Sequence, residues 1–329
     1  MLAAHFLNVG HGDCTFVDLP SGRLMMVDVN NSRTLPKGDR EALAERHGQT
    51  EAEFAFARIM ETGYRSWSDY YESFLVDPYD YYQEHFKGRS IWRYVQTHPD
   101  MDHMSGLRRF FWDQAVGLSN FWDTKNSKEL SVADFREARM AEAGYQYSDW
   151  EAYQELRNGR HGSPAIGNNV LRVEQSEIGQ YWSDDEIAVL SPTPDLAEYC
   201  DGIEKWNNVS YVFRVQHAGR RIILPGDAEK PAWDKIETTI STADLKCDVL
   251  KAAHHGRESG YSETATEKMD PDFVICSVGK KPSTDASDEY AAQGADVFST
   301  RLNGTITVEI LDSGTVAIYD RGHALLGSS

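Results

Sequence analysis

Three apolar runs, far apart in the chain, each end in a turn that carries histidine or aspartate. I-W-R-Y-V-Q leads into T-H-P-D-M-D-H, R-R-I-I-L into P-G-D-A-E, and D-V-L-K into A-A-H-H-G. Short apolar runs punctuated by proline or glycine read as buried strands, and loops at strand ends are where sites are usually built. A chain that repeats this arrangement three times is expected to bring three strand tips together, and an α/β fold does so.

The rest of the chain is organised around those runs. The first thirty residues alternate strand-like segments with turns and read as a β-meander. From Asn31 to Arg89, about 31–90, the character becomes helical and aromatic, with helical periodicity over Glu41 to Met60 and with Trp67, Tyr70, Tyr71, Phe74, Tyr79, Tyr81, Tyr82 and Phe86 close behind. This reads as an insertion whose rings either stack bases or form a small core. A short helix is expected near Ser105, and a second helical insertion covers about 131–169. Strands are expected near Ser210 to Val215, Arg221 to Leu224, Asp248 to Lys251, Phe273 to Val278, Thr305 to Ile310 and Val316 to Tyr319, and Pro231 marks the first turn of a helix. Without repeats or linkers, the 329 residues read as one domain.

Composition narrows the class. A chain this long buries roughly three quarters of its surface, so its core needs no staple. The four cysteines, Cys14, Cys200, Cys247 and Cys276, show no C-x-x-C pairing, which argues against a disulfide or zinc-knuckle framework and fits a reducing cytoplasm. No leader and no long apolar run is evident, so neither export nor a membrane span is expected. With 52 acidic against 33 basic residues the formal charge is −19. An anionic substrate then needs bound cations or a local basic patch.

His98, Asp100, Asp102 and His103 lie within six residues. Three such side chains alternating along an extended strip can face one cation, while Asp102 and His103 turn toward a second. Two cations about 3.5 to 4 Å apart clamp a substrate oxygen and activate water, and they call for a bridging carboxylate. Asp227, at the tip of the second strand, provides it. His254 and His255 stand at the third tip, where one or both imidazoles face the cavity.

These segments, together with F-L-N-V-G-H-G-D-C, L-M-M-V-D-V-N with Asp28, N-N-V-S-Y-V-F-R-V and V-I-C-S-V-G-K, occur in an order that resembles the metallo-β-lactamase superfamily. The resemblance is strongest to the branch typified by the soluble hydrolase domain of the competence DNA-uptake protein ComEC. It implies a four-layer αβ/βα sandwich, with the metals at one edge between two sheets. It also implies that His98 and Asp100 bind one metal, that Asp102, His103 and His254 bind the other, that Asp227 bridges and that His255 lines the site.

Several positions depart from the pattern. Asp100 stands where the superfamily usually has a second histidine, and no mid-chain histidine ligand is found, since W-N-N-V-S carries Asn208 and Ser210 as in the ComEC-like branch. His11 stands where that branch usually has glutamine, and K-K-P-S-T-D-A-S replaces its late G-H-P motif. Oxygen donors harden a site, so manganese is a candidate beside zinc, and magnesium is compatible. Asn208, Ser210, His255, Lys280 and Arg257 are the candidate substrate contacts, with Lys281 near the same mouth.

The expected function is a metal-dependent hydrolase, a phosphodiesterase or nuclease acting on nucleic acid or a nucleotide. A hydroxide held between the two ions by Asp102 and Asp227 attacks phosphorus. The alternatives are hydrolysis of a lactone, thioester or β-lactam, and a non-catalytic metal-binding partner protein.

Overall fold

Side-chain alternation within the strands decides the layering, because successive residues of a strand face opposite sides of the sheet. The computed structural model describes residues 1–31, 41, 44–45, 48–62, 75–159, 169–279 and 283–329. The strands are β1 (Leu2–Phe6), β2 (Thr15–Asp18), β3 (Leu24–Val27), β4 (Ile91–Val95), β5 (Leu118–Trp122), β6 (Val170–Leu171), β7 (Ile187–Ser191), β8 (Val212–His217), β9 (Arg220–Leu224), β10 (Val249–Lys251), β11 (Phe273–Cys276), β12 (Asp296–Ser299), β13 (Ile306–Ile310), β14 (Val316–Tyr319) and β15 (Leu325–Ser328). They form a nine-stranded sheet, ordered β15-β14-β13-β1-β2-β3-β4-β5-β6, and a six-stranded sheet, ordered β12-β11-β10-β9-β8-β7.

One face of each sheet meets the other sheet. Leu2, Ala4 and Phe6 of β1, Val95 of β4 and Val308 of β13 pack with Phe213 and Val215 of β8, Leu224 of β9 and Ile275 of β11. The outer face of the first sheet presents Phe16, Met26, Tyr94 and Phe121 to Tyr82, Phe86, Phe110, Trp150 and Tyr153. The outer face of the second presents Val212, Ile223, Leu250 and Val274 to Trp233, Ile236 and Met269. The result is the αβ/βα order of layers found in the metallo-β-lactamase fold.

Within each sheet the pairing changes from antiparallel to parallel. The β3–β4 and β4–β5 pairs of the first sheet and the β9–β10 and β10–β11 pairs of the second are parallel. The carboxyl ends of β3, β4, β9, β10 and β11 therefore point toward a common edge, which receives the turns singled out above.

Most expected elements form close to their expected bounds, including the opening meander and the helix Lys230–Thr239 with Pro231 in its first turn. The first insertion differs. Its described helices include Glu51–Thr62 and Pro78–His85, and the first begins where Thr50 and Glu53 make a reciprocal cap: the Thr50 amide donates to Glu53 Oε2 at 2.8 Å and the Glu53 amide to Thr50 Oγ1 at 3.3 Å. Trp67, Tyr70, Tyr71 and Phe74 lie outside the described residues. Tyr82 and Phe86 are buried against Phe16 and Phe110 rather than offered to a ligand. In place of one helix near Ser105 the chain makes a 3-10 turn over Met101–His103 and a π-helix over Arg109–Asp113. All four cysteines are buried, and no disulfide joins them. No described helix is long and apolar enough to cross a membrane.

Two outcomes test this packing. Phe213 is 1% exposed between the sheets, so Phe213→Ala should lower stability by about 3–5 kcal/mol in urea unfolding. His5 packs its ring against Phe86 and hydrogen-bonds Tyr81 Oη at 2.9 Å. Burial, reinforced by nearby His85, lowers its pKa from 6.5 to about 4. The unfolded chain therefore takes up this proton first, and stability present above pH 6.5 is lost as the pH falls toward 4. His5→Gln should show a shallower loss of urea midpoint across that window.

Candidate metal centre

Local structure places each candidate side chain. Asp28 follows β3 with a positive φ of 54°, and its carboxylate is fully used. Oδ1 accepts the Thr97 amide at 2.7 Å, and Oδ2 accepts Thr97 Oγ1 at 2.7 Å and His103 Nδ1 at 2.8 Å. The His103 ring is thereby oriented with Nε2 directed at Asp227, the kind of outer carboxylate support that fixes a ligand imidazole. Buried Gln96 closes the same loop, its Nε2 donating to the carbonyls of His98 at 2.8 Å and His103 at 3.0 Å.

The second tip requires glycine. Gly226 has φ +55°, and a Cβ there would meet the Thr97 side chain at 2.8 Å. This close approach delivers Asp227 to the His98–His103 loop. His98 Nε2 lies 3.9 Å and His103 Nε2 3.3 Å from Asp227 Oδ2. At the third tip, His255 Nδ1 hydrogen-bonds the Ser277 carbonyl at 3.0 Å, which aims Nε2 inward, 3.4 Å from both Asp102 Oδ2 and Asp227 Oδ2. His254 is also within reach, its Nε2 3.8 Å from Asp227 Oδ2 while Nδ1 bonds Ser259 Oγ at 2.8 Å and approaches Glu229 at 3.3 Å. His98 Nε2 is 3.6 Å from Asp100 Oδ2, and Asp100 is paired with Lys128.

Among the described residues, two sets of donor atoms are close enough to share an ion: Asp13, His103, Asp227 and His255, and His11, Asp102 and His255. Their chemistry fits a divalent cation. His98 Nε2, His103 Nε2, His255 Nε2 and Asp227 Oδ1 are buried and make no aligned hydrogen bond, a costly condition unless a cation meets them. Electrostatics agree. Burial alone would lower the pKa of His255, but Asp227 and Asp13 outweigh it and raise it from 6.5 to about 10, and His103 is raised in the same way by Asp227 and Asp28. Burial would raise the Asp227 carboxyl, yet His255 and His103 hold it well below the usual range. The field favours positive charge at these nitrogens, whether carried by a proton or by a metal.

The expected site residues thus divide. His98, Asp100, Asp102, His103, Asp227, His254 and His255 come together. Asn208 and Ser210 are buried behind them: Asn208 Oδ1 accepts the amides of Glu229 at 3.2 Å and Ala232 at 3.4 Å, and Ser210 Oγ accepts the Asp227 amide at 3.2 Å. Arg257 directly follows the His-His-Gly turn and is half-buried, whereas Lys280 and Lys281 lie outside the described residues. Sequence reasoning gave no role to Asp13, Lys251, Glu229 or Lys128. The Lys251 ammonium is buried 2.6 Å from Asp13 Oδ2; a lysine in an otherwise apolar strand was the available signal.

No protein-family model matches the chain. Over 160 residues it is 30% identical to ComE operon protein 3 of Bacillus subtilis (strain 168), a match covering 46% of this chain and 19% of that protein. The chain thus spans about a fifth of the curated relative's length. Among solved structures it is similar to Igni18, a metallo hydrolase from the hyperthermophilic archaeon Ignicoccus hospitalis KIN4/I, at 13% identity and a TM-score of 0.45 over 94% of this chain and all of the other. It is also similar to AbOPH, a hydrolase in the β-lactamase superfamily, at 10% identity and a TM-score of 0.28, covering 65% and 55% of the two chains. Layer order and the order of the motifs match a metallo-β-lactamase-like fold, and the chain is similar to ComE operon protein 3 over part of its length.

Proposed function

We propose that the chain is a metal-dependent hydrolase, and that its substrate is a phosphodiester, in nucleic acid or a nucleotide. The observation that carries the reading is the convergence of buried, unpartnered imidazole and carboxylate atoms from three strand ends on Asp227. His98, Asp100 and Asp227 would hold one divalent ion, and Asp102, His103 and Asp227 the other with one histidine of the 254–255 pair. His255 is favoured as that donor by its buried, unpartnered Nε2, which leaves His254 free to hold a proton for the departing oxygen. Bound ions of this kind supply Lewis acidity toward a phosphoryl oxygen and acidify water.

The chain's own residues set the rest. Asp102 and Asp227 present carboxylate oxygens toward the attacking side, and burial around Asp227 keeps its charge strong. Asp100, Asp102 and His254 are the partly exposed members, so substrate is expected to enter on their side, with the Lys128 ammonium and the Arg257 guanidinium near enough to offset phosphate charge. A donor set that mixes oxygen and nitrogen leaves manganese and zinc as the candidate ions. The resemblance of the motifs to the ComEC-like DNA-uptake branch is what favours nucleic acid as the substrate.

Two variants test the reading. Asp102→Asn removes a charge and a ligand with little change in volume, so turnover of single-stranded DNA, RNA or a chromogenic phosphodiester with manganese or zinc should fall below detection while the thermal melt of the metal-free protein stays near wild type. Wild-type rates in that variant, or turnover of lactone, thioester or β-lactam reporters in place of phosphodiesters, would count against the assignment. Asp28→Asn leaves the donor atoms in place but loosens the hold on His103, and calorimetric titration should read a loss of metal affinity of roughly 10–100-fold.

A further inference from the structure

We infer that His11 is a metal ligand, and that with Asp102 and His255 it forms a nitrogen-rich subsite at the mouth of the centre that selects zinc over manganese. The inference rests on the metal-centre reading above and adds to it a ligand from a different part of the chain, the loop between β1 and β2.

Geometry carries it. His11 Nε2 lies 3.5 Å from Asp102 Oδ2, the same oxygen that stands 3.4 Å from His255 Nε2. The two rings are 4.9 Å apart between centroids. Donor atoms of these three residues lie within 4.8 Å of one another, so a single ion can touch all three. His255 is 1% exposed, and its Nε2 is aimed into this space without a hydrogen-bond partner.

The loop that carries His11 is held in place by the metal-site loops. Asn30 Nδ2 donates to the His11 carbonyl at 2.7 Å, and the Asp13 amide donates to the Asp102 carbonyl at 3.2 Å. From the other side Gly279 packs so closely that a Cβ there would lie 2.8 Å from the backbone amide nitrogen of His11. Such bracing keeps an imidazole at the mouth, with its side chain 37% exposed, pointing inward.

Donor chemistry then separates two subsites. His103, His255 and His11 surround Asp102 and Asp227, whereas the His98 side has the oxygen donors Asp100 and Asp227, and Asp100 is already engaged by Lys128. Imidazole-rich sets favour zinc and oxygen-rich sets suit manganese or magnesium. Two binding steps of different preference follow, with the tighter zinc step at the His11 side.

The test is calorimetric titration of full-length wild type and His11→Gln with zinc and, separately, manganese, together with the visible absorption of the cobalt-substituted proteins. His11→Gln should weaken the tight zinc step by roughly 10–100-fold, change manganese binding far less, and reduce the cobalt absorption. In the wild-type protein, nitrogen NMR of the histidine rings should show the His11 ring shifting on zinc addition, which gives the answer independently of how the variant folds. Unchanged zinc affinity and cobalt spectrum in His11→Gln, or an unmoved His11 ring, would overturn the inference while leaving the metal centre standing. A wild-type chain that binds neither ion would instead overturn the metal-centre reading itself.

Discussion

Carboxylate charge taken out of water at one edge of the two sheets is the constraint on which the rest of the structure depends. Asp13, Asp28 and Asp227 are buried together, and isolated ions in such surroundings would be prohibitively expensive. Each is met by a different kind of compensation. Lys251 stands against Asp13, Thr97 and His103 surround Asp28, and His103 and His255 face Asp227. Asp13 and the atoms around Asp227 are buried without aligned hydrogen bonds, and together they form a set that one divalent ion would complete.

The same constraint accounts for the backbone around the centre. Three residues there, Asp28, His254 and His255, have positive φ although none is glycine. Residues in this region persist where surrounding contacts over-determine them. The Asp28 hydrogen bonds, the Ser277 carbonyl behind His255 and the pair Ser259 and Glu229 behind His254 do so here. Packing between the sheets then holds the three tips at fixed separation, so preorganisation of the donors comes from the hydrophobic layers rather than from the ligands themselves.

Much of this was legible in the amino-acid order because short-range signals sufficed. The T-H-P-D-M-D-H turn, the Pro-Gly break before Asp227 and the His-His-Gly turn each place a candidate ligand side chain at a strand end within a few residues. Asp13 and Lys251 were not legible as a pair, since nothing local joins positions 238 residues apart; the β1–β2 loop meets β10 only once both sheets have stacked. Asn208 and Ser210 illustrate the opposite difficulty. Their position beside a site motif suggested contact with substrate, but the structure uses their polar atoms on the amides of Glu229, Ala232 and Asp227. In the first insertion, helical periodicity over Glu41 to Met60 did not reveal that the Thr50–Glu53 cap begins a helix there.

The position of β1 has a consequence for how the chain is made. This first strand lies inside the nine-stranded sheet, between β2 and β13, and pairs Leu2 with Ile310 across almost the full length of the polypeptide. During synthesis one edge of β1 must wait, with its amides and carbonyls uncovered, until β13 has left the ribosome. Such long-range closure is slow and leaves an uncovered strand edge in the meantime.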